Sequence, residues 1–269
     1  MVFLYATDLH GDIQKFNRIL EFALTNNIKL IHIGADLLPK GPNLIEAQTL
    51  FVKGFLRDFY KRCTKKGIKI LAFFGNDDLY SLKDIFREYG ELLDDAPYNY
   101  KNYNFIAYPF VKDYPFGLKT ACKYDYLGCP TEPYISRPVE ASPEGFVAIE
   151  NIDDYFLKKG TIQQDLQHIK GDAKTIAAFH QPPCSLGLDV CRDGRRVGSK
   201  SVYEWVNSNH IPLLLCGHIH ESPEVSGVWK ARVNNTKVIQ PGQSWFGSGS
   251  TTMVLFYLNK NNIKYFFIK

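Results

Sequence analysis

The sequence predicts an α/β fold with a second sheet packed on the first. Two observations carry that expectation. In the first third, short apolar runs alternate with helically periodic stretches, and the closing section reads as strands alone. A third observation points to function: polar side chains with metal-binding chemistry stand immediately after the predicted strands.

Val2–Ala6 is a short apolar run suited to a buried strand. Asp12 suits the N-cap of a helix over 13–26, where Phe16, Ile19, Leu20 and Ala23 recur at helical spacing. Ile28–Ile33 is the second strand. Pro42 and Asn43 suit a helix start, and the stretch to about Lys66 carries Leu50, Phe51, Gly54, Phe55 and Phe59 on one side before Gly67 stops it. Ile68–Phe74 is the third strand. This order implies parallel pairing with right-handed crossovers.

The middle differs. Residues 96–150 hold seven of the 14 prolines and eight of the 16 tyrosines. Beyond a strand near 103–108, that stretch predicts an insertion or lid packed on its own aromatics. Helical patterning returns at 151–170. Lys174–Phe179 and Leu213–Cys216 read as strands, with a short helix over Ser199–Asn209 between them. Lys237–Gln240, Thr251–Leu258 and Ile263–Ile268 close the chain as strands. No stretch resembles a flexible linker, so one domain over 1–269 is expected.

Composition narrows the class. The 269 residues are 45% hydrophobic, 22% charged and 14% aromatic, which excludes a disordered chain or a fibre. Thirty-two basic against 28 acidic residues give a net charge of +4, too mild to imply an obligate nucleic-acid partner or a membrane surface. No apolar run approaches the ~18 residues of a membrane span. Asp8 interrupts the apolar start, so no signal peptide is expected. Six cysteines without a CxxC pair argue against a zinc finger or disulfide scaffold and make the cytoplasm the expected location.

Asp8 and His10 follow the first strand, Asp36 the second and Asn76 the third. His180 follows the strand at 174–179, and His218 and His220 follow that at 213–216. Open α/β sheets bind ligands at the carboxyl ends of their strands, so these seven side chains are expected in one crevice. Two carboxylates, an amide and four imidazoles, with no thiolate, suit Mn, Fe, Zn or Co better than Ca or Cu(I). Seven donors exceed one tetrahedral site and suit two ions sharing a carboxylate. Two divalent ions against two charged ligands leave an excess of about two positive charges, which favours a phosphate ligand.

The ordered series Asp8-x-His10, Gly34-x-Asp36, Gly75-Asn76-x-Asp78, His180 and Gly217-His218-x-His220 resembles the calcineurin-like metallophosphoesterase superfamily. The motifs span most of the chain. The region from His180 to Ser222 also resembles a bacterial and archaeal branch of small phosphoesterases. The resemblance implies a four-layer α/β/β/α sandwich of two mixed sheets. It implies two divalent or mixed-valence transition-metal ions and hydrolysis of a P–O bond by a bridging hydroxide. By carry-over, Asp8, His10, Asp36 and His220 hold the first ion, and Asp36, Asn76, His180 and His218 the second.

Two departures from the family pattern matter. The family's Gly-Asn-His has Asp77 at the histidine position, and two nearby cations make a carboxylic acid a poor proton donor. That favours a phosphodiesterase acting on a small phosphorylated substrate, a nucleotide or cyclic phosphodiester among the candidates. Phosphomonoesterase or nucleotide pyrophosphohydrolase activity is the first alternative, and a weakly active metal-binding scaffold the second. Leu37-Leu38-Pro39-Lys40-Gly41 replaces the Asp-Arg-Gly run of protein phosphatases, which disfavours that activity.

Other residues divide between chemistry and structure. Asp77 faces the phosphate or bonds its loop, and Asp78 is expected to steady that loop. Arg195 and Arg196 are candidates to clamp a phosphate, although a solvated surface pair is the favoured reading. Tyrosines of 98–134 are candidates for base stacking, with self-packing the commoner outcome. His32, inside a strand, is expected to be a hydrogen-bonded core residue. His168 and His210 are given no role, Cys184 and Cys191 are read as idle thiols, and Pro241-Gly242 as a turn.

Overall fold

Period-two alternation within the strands decides where the layers meet. The computed structural model describes residues 1–142, 144–245, 247–258 and 262–268. Its strands in chain order are β1 (Val2–Ala6), β2 (Leu30–Ile33), β3 (Lys69–Ala72), β4 (Tyr98–Tyr100), β5 (Tyr103–Tyr108), β6 (Val111–Lys112), β7 (Cys122–Lys123) and β8 (Val139–Ser142). They continue with β9 (Gly145–Ala148), β10 (Thr175–Phe179), β11 (Leu213–Leu215), β12 (Lys230–Val233), β13 (Thr236–Ile239), β14 (Thr251–Tyr257) and β15 (Asn262–Ile268). The α-helices are α1 (Ile13–Thr25), α2 (Leu44–Phe51), α3 (Arg57–Lys65), α4 (Lys83–Arg87), α5 (Ile152–Lys159), α6 (Ile162–His168), α7 (Lys200–Ser208) and α8 (Ser222–Ser226).

One sheet has the order β15-β14-β1-β2-β3, the other β12-β13-β11-β10-β5-β4. β1, β2 and β3 run parallel, as do β5, β10, β11 and β13, while antiparallel strands close both edges of the second sheet and the β15 edge of the first. Phe3, Tyr5, Leu30, Leu71 and Phe73 of the first sheet face Phe105, Ile176, Ala178, Leu213 and Leu215 of the second. The alternate residues Leu4, Ala6, Ile31, Ile33 and Ile70 pack under helices α1 to α4. On the far side Ala177, Phe179 and Leu214 pack under α6 and α7. The result is a four-layer α/β/β/α sandwich.

The long helical stretch is α2, a π-helical turn at Val52–Leu56, and α3, which end to end occupy the predicted range. Asp12 caps α1, accepting from the N–H groups of Gln14 and Lys15. The Pro/Tyr-rich region divides. Tyr98–Tyr108 supplies two strands of the larger sheet, while the chain beyond carries the small sheets β6–β7 and β8–β9. Its tyrosines are used mostly in packing: Tyr98, Tyr100 and Tyr103 against the inter-sheet core, and Tyr124 on Phe156. Helix α4, helix α8 and edge strand β12 had no clear sequence signal.

Candidate metal centre

The motif loops leave the carboxyl ends of β1, β2, β3, β10 and β11, and backbone hydrogen bonds tie them together. Asp8 N–H donates to Ala35 O at 3.0 Å, His10 N–H to Asp36 O at 2.9 Å, and Gly217 N–H to His180 O at 3.1 Å. Four of the seven predicted donor residues sit in the left-handed region: Asp8 at φ 56°, His10 at 45°, Asp36 at 57° and His218 at 71°. Such strain in non-glycine residues persists only where the surroundings over-determine it, and it clusters at functional sites. Two glycines explain the motif spacing. A Cβ on Gly75 would lie 2.2 Å from Asp36 Oδ1, and one on Gly217 would lie 2.6 Å from Asp8 Oδ2.

The donor atoms fall into two groups that share Asp36. Asp8, His10, Asp36 and His220 form one, and Asp36, His180 and His218 the other; within each, the atoms lie within 4.8 Å of one another. His10 Nε2 is 3.0 Å from His220 Nε2 and 3.8 Å from Asp36 Oδ2. His180 Nε2 is 3.3 Å from Asp36 Oδ2 and 2.8 Å from Asn76 Oδ1, which brings the amide to the second group. His220 Nε2 is 3.4 Å from Asp8 Oδ1.

Electrostatics favour ligation. Burial pushes the Asp8 carboxyl upward, but His220, His180 and His10 outweigh it and hold it well below the carboxylate range. Burial likewise opposes ionisation of Asp36, and His180 wins in the same way. Burial, then His180, lowers His218 to about 3, so its ring is neutral and able to donate a lone pair. Ring nitrogens converging on carboxylates without a thiolate fit a pair of transition-metal ions.

Asp77 both bonds its loop and faces the cleft. Its N–H donates to Asp36 Oδ1 at 3.0 Å, and its carboxylate accepts from Asn76 Nδ2 at 3.0 Å and pairs with Lys40 Nζ at 2.6 Å. Partial burial pulls the Lys40 ammonium down, and Asp77 and Asp36 outweigh that and hold it above its ordinary value. Asp78 is turned away from the cleft. It is buried and accepts from the N–H groups of Leu37, Leu38 and Gly75 at 2.8–3.1 Å. Burial, then the Asp36 charge, pushes its carboxyl up to about 8 against those donors. Arg195 lines the cleft but is bonded to Asp193 at 2.7 Å and to Glu132, while Arg196 is exposed and outside the lining.

Sequence reasoning missed Tyr114, Gln48, Gln240 and Gln243. The Tyr114 hydroxyl accepts from Asn76 Nδ2 at 3.3 Å and donates to Leu118 O at 3.0 Å, and its ring meets His218 at 5.8 Å. Lys119 and Asp113, paired at 2.7 Å in the buried base of that loop, fix its course. Gln48 donates to Asp77 O at 2.7 Å, Gln240 to Ile219 O at 3.1 Å, and Gln243 to Thr7 O at 3.0 Å. The Pro241-Gly242 turn reaches the ligand loops, for Gln243 N–H donates to His220 O at 3.1 Å. Amide side chains in non-adjacent segments leave no spacing signal by which to find them.

Donor groups sharing one carboxylate, set on strand-end loops of two facing sheets, define a metal-dependent phosphoesterase. The chain belongs to the calcineurin-like phosphoesterase family, whose description matches residues 1–222. One solved structure aligns at TM-score 0.61 with 14% identity, covering 100% of this chain and 99% of the other. The protein TT1561 of Thermus thermophilus aligns at TM-score 0.55 with 14% identity over 100% and 99%. A structure described as a novel archaeal phosphodiesterase aligns at 0.47 with 15% identity over 100% of both chains. No curated protein matches the sequence. Among the described residues, no helix is long and apolar enough to cross a membrane.

Proposed function

We propose that this protein is a phosphodiesterase. Asp8, His10, Asp36 and His220 would hold one metal ion, and Asp36, Asn76, His180 and His218 a second. When bound, such ions supply Lewis acidity to phosphoryl oxygens and acidify water to near neutrality. The residues around them do the rest. Asp36 and Asp8 neutralise part of the charge, Asn76 is held by Tyr114, and Lys40 adds a cation at the cleft edge.

The observation that carries the reading is the Lys40–Asp77 pair at 2.6 Å. Asp77 occupies the position from which an imidazole would protonate a leaving group, and its carboxylate is already engaged by a cation. Apart from the proposed ligands His218 and His220, no histidine lines the cleft among the described residues. General acid catalysis contributes ~10²–10⁴-fold, and its loss weighs most on monoesters with poor leaving groups. Diesters with acidic leaving groups need it least.

The test is to strip the protein with chelator, restore Mn, and compare bis-4-nitrophenyl phosphate with 4-nitrophenyl phosphate. Faster metal-dependent turnover of the diester is the expected result. Preference for the monoester would overturn the reading in favour of a phosphomonoesterase, and metal binding without turnover in favour of a scaffold.

A further inference from the structure

Two of the large apolar side chains that stand most exposed in this molecule share one cleft with the metal-site residues. Phe116 is 58% and Trp245 61% exposed. Both line a cleft of about 460 Å³ that also contains Asp36, Asn76, His218 and His220. They come from distant segments, the loop after β6 and the loop before β14, so chain proximity does not account for the pairing. Many other aromatics are packed, Tyr5, Phe16, Phe59, Phe105 and Phe179 being fully buried, while Phe146 and Phe267 are exposed on strands outside the cleft.

The His218 ring meets Tyr114 at 5.8 Å, and Tyr114 meets Phe116 at 5.8 Å, so aromatic surface runs outward from the metal-site loop. The Arg192 guanidinium lies over the Trp245 ring at 5.2 Å. The metal-site side chains form one part of the cleft, and Phe116 and Trp245 bring exposed apolar area to a lining that also holds Lys112, Glu132, Arg195 and Glu221. That combination fits a ligand with a phosphoryl group at one end and a flat apolar body at the other. The volume falls in the ~300–1,000 Å³ range of clefts that enclose small organic ligands.

We infer that the cleft selects phosphodiesters whose distal half is a planar aromatic ring, a nucleobase or a simple aryl group, received by Phe116 and Trp245. This rests on the reading of the site as a phosphodiesterase and adds a substrate class to it. Each aromatic offers a face for stacking, worth ~1–3 kcal/mol per base in nucleotide-binding proteins. Both faces carry no hydrogen-bond code, so ring shape outranks base identity.

Three esters with one scissile bond and one leaving group test it: thymidine 5′-(4-nitrophenyl) phosphate, phenyl 4-nitrophenyl phosphate and methyl 4-nitrophenyl phosphate. With Mn restored, kcat/KM for the thymidine and phenyl esters should exceed that for the methyl ester by ~10-fold or more, from stacking of that size. Trp245→Ala and Phe116→Ala should bring the ratio toward one, while Trp245→Phe should retain it. Preference for the thymidine ester alone would identify the ring as a nucleobase, and equal preference for both as any aryl group. Equal kcat/KM for all three esters in the wild type, or a ratio unmoved in both alanine variants, would overturn the inference. A second readout needs no turnover: quenching of tryptophan fluorescence by thymidine 5′-phosphate but not methyl phosphate, lost in Trp245→Phe. Quenching without hydrolysis of any ester would defeat the phosphodiesterase reading and leave the aromatic cleft standing; no quenching and no hydrolysis would defeat both.

Discussion

Lys40 Nζ lies 2.6 Å from the carboxylate of Asp77, and the Asp77 N–H donates to Asp36, the carboxylate shared by both donor groups. A cation is thus tethered at the edge of the metal site by the residue that replaces the family's histidine. The pair sits on two different strand-end loops, after β2 and after β3.

Replacing that residue tests the role assigned to it. Asp77→His should raise kcat/KM for phenyl phosphate, a monoester with a poor leaving group, by ~10-fold or more, the low end of what a positioned acid supplies being larger still. The diester rate should move less. An unchanged monoester rate, measured side by side, would count against the proton-donor argument.

Tyr114 is expected to act through Asn76. Tyr114→Phe removes the oxygen that Asn76 Nδ2 meets at 3.3 Å and leaves the ring packed. Losing an outer partner of a ligand typically weakens metal binding ~10–100-fold. Calorimetric titration of metal-free protein with Mn should show one of two sites weakened, with Asn76→Ala weakening the same site more strongly. Two sites of wild-type affinity in Tyr114→Phe would refute this.

Gly75 tests how closely the loops approach. Its missing Cβ would stand 2.2 Å from Asp36 Oδ1 and 2.7 Å from the Asp36 backbone nitrogen, and no rotamer change relieves the second. Gly75→Ala should therefore displace Asp36 and lower bound Mn per chain by elemental analysis. A variant that retained full metal content would show that the β3 loop can shift without disturbing the site.

His32 sets a pH dependence of stability. It is fully buried against Tyr5, Phe73 and Phe105, and neither ring nitrogen makes a well-formed hydrogen bond. The core placement matches the sequence expectation, and the missing partner corrects it. Burial lowers its pKa to about 3, although the Ile33 backbone pulls the other way. The unfolded chain protonates this group near ~6.5. Between those values the unfolded state binds the extra proton, so stability is full above about 6.5 and falls as pH drops toward 3. From pH 7 to 5 this group contributes a loss of about 2 kcal/mol. His32→Leu should remove that part of the acid limb in urea unfolding at the two pH values, and an identical limb in both proteins would reject the assignment.

The alternation of apolar strands and helices in the first 74 residues determined the parallel sheet, because burial on both faces needs continuous apolar runs. The order of polar residues after those strands determined which side chains could meet, because parallel strands end on the same side. The sequence also placed the long helix and the Asp12 cap, both of which depend on neighbours within a turn or two. It could not show that Tyr114, Gln48, Gln240 and Gln243 brace the site, that Lys40 pairs with Asp77, or that Phe116 and Trp245 share a cleft. Those contacts join segments from 21 to over 200 residues apart, through single side chains with no periodicity. Only the packing of one sheet on the other brings such segments together.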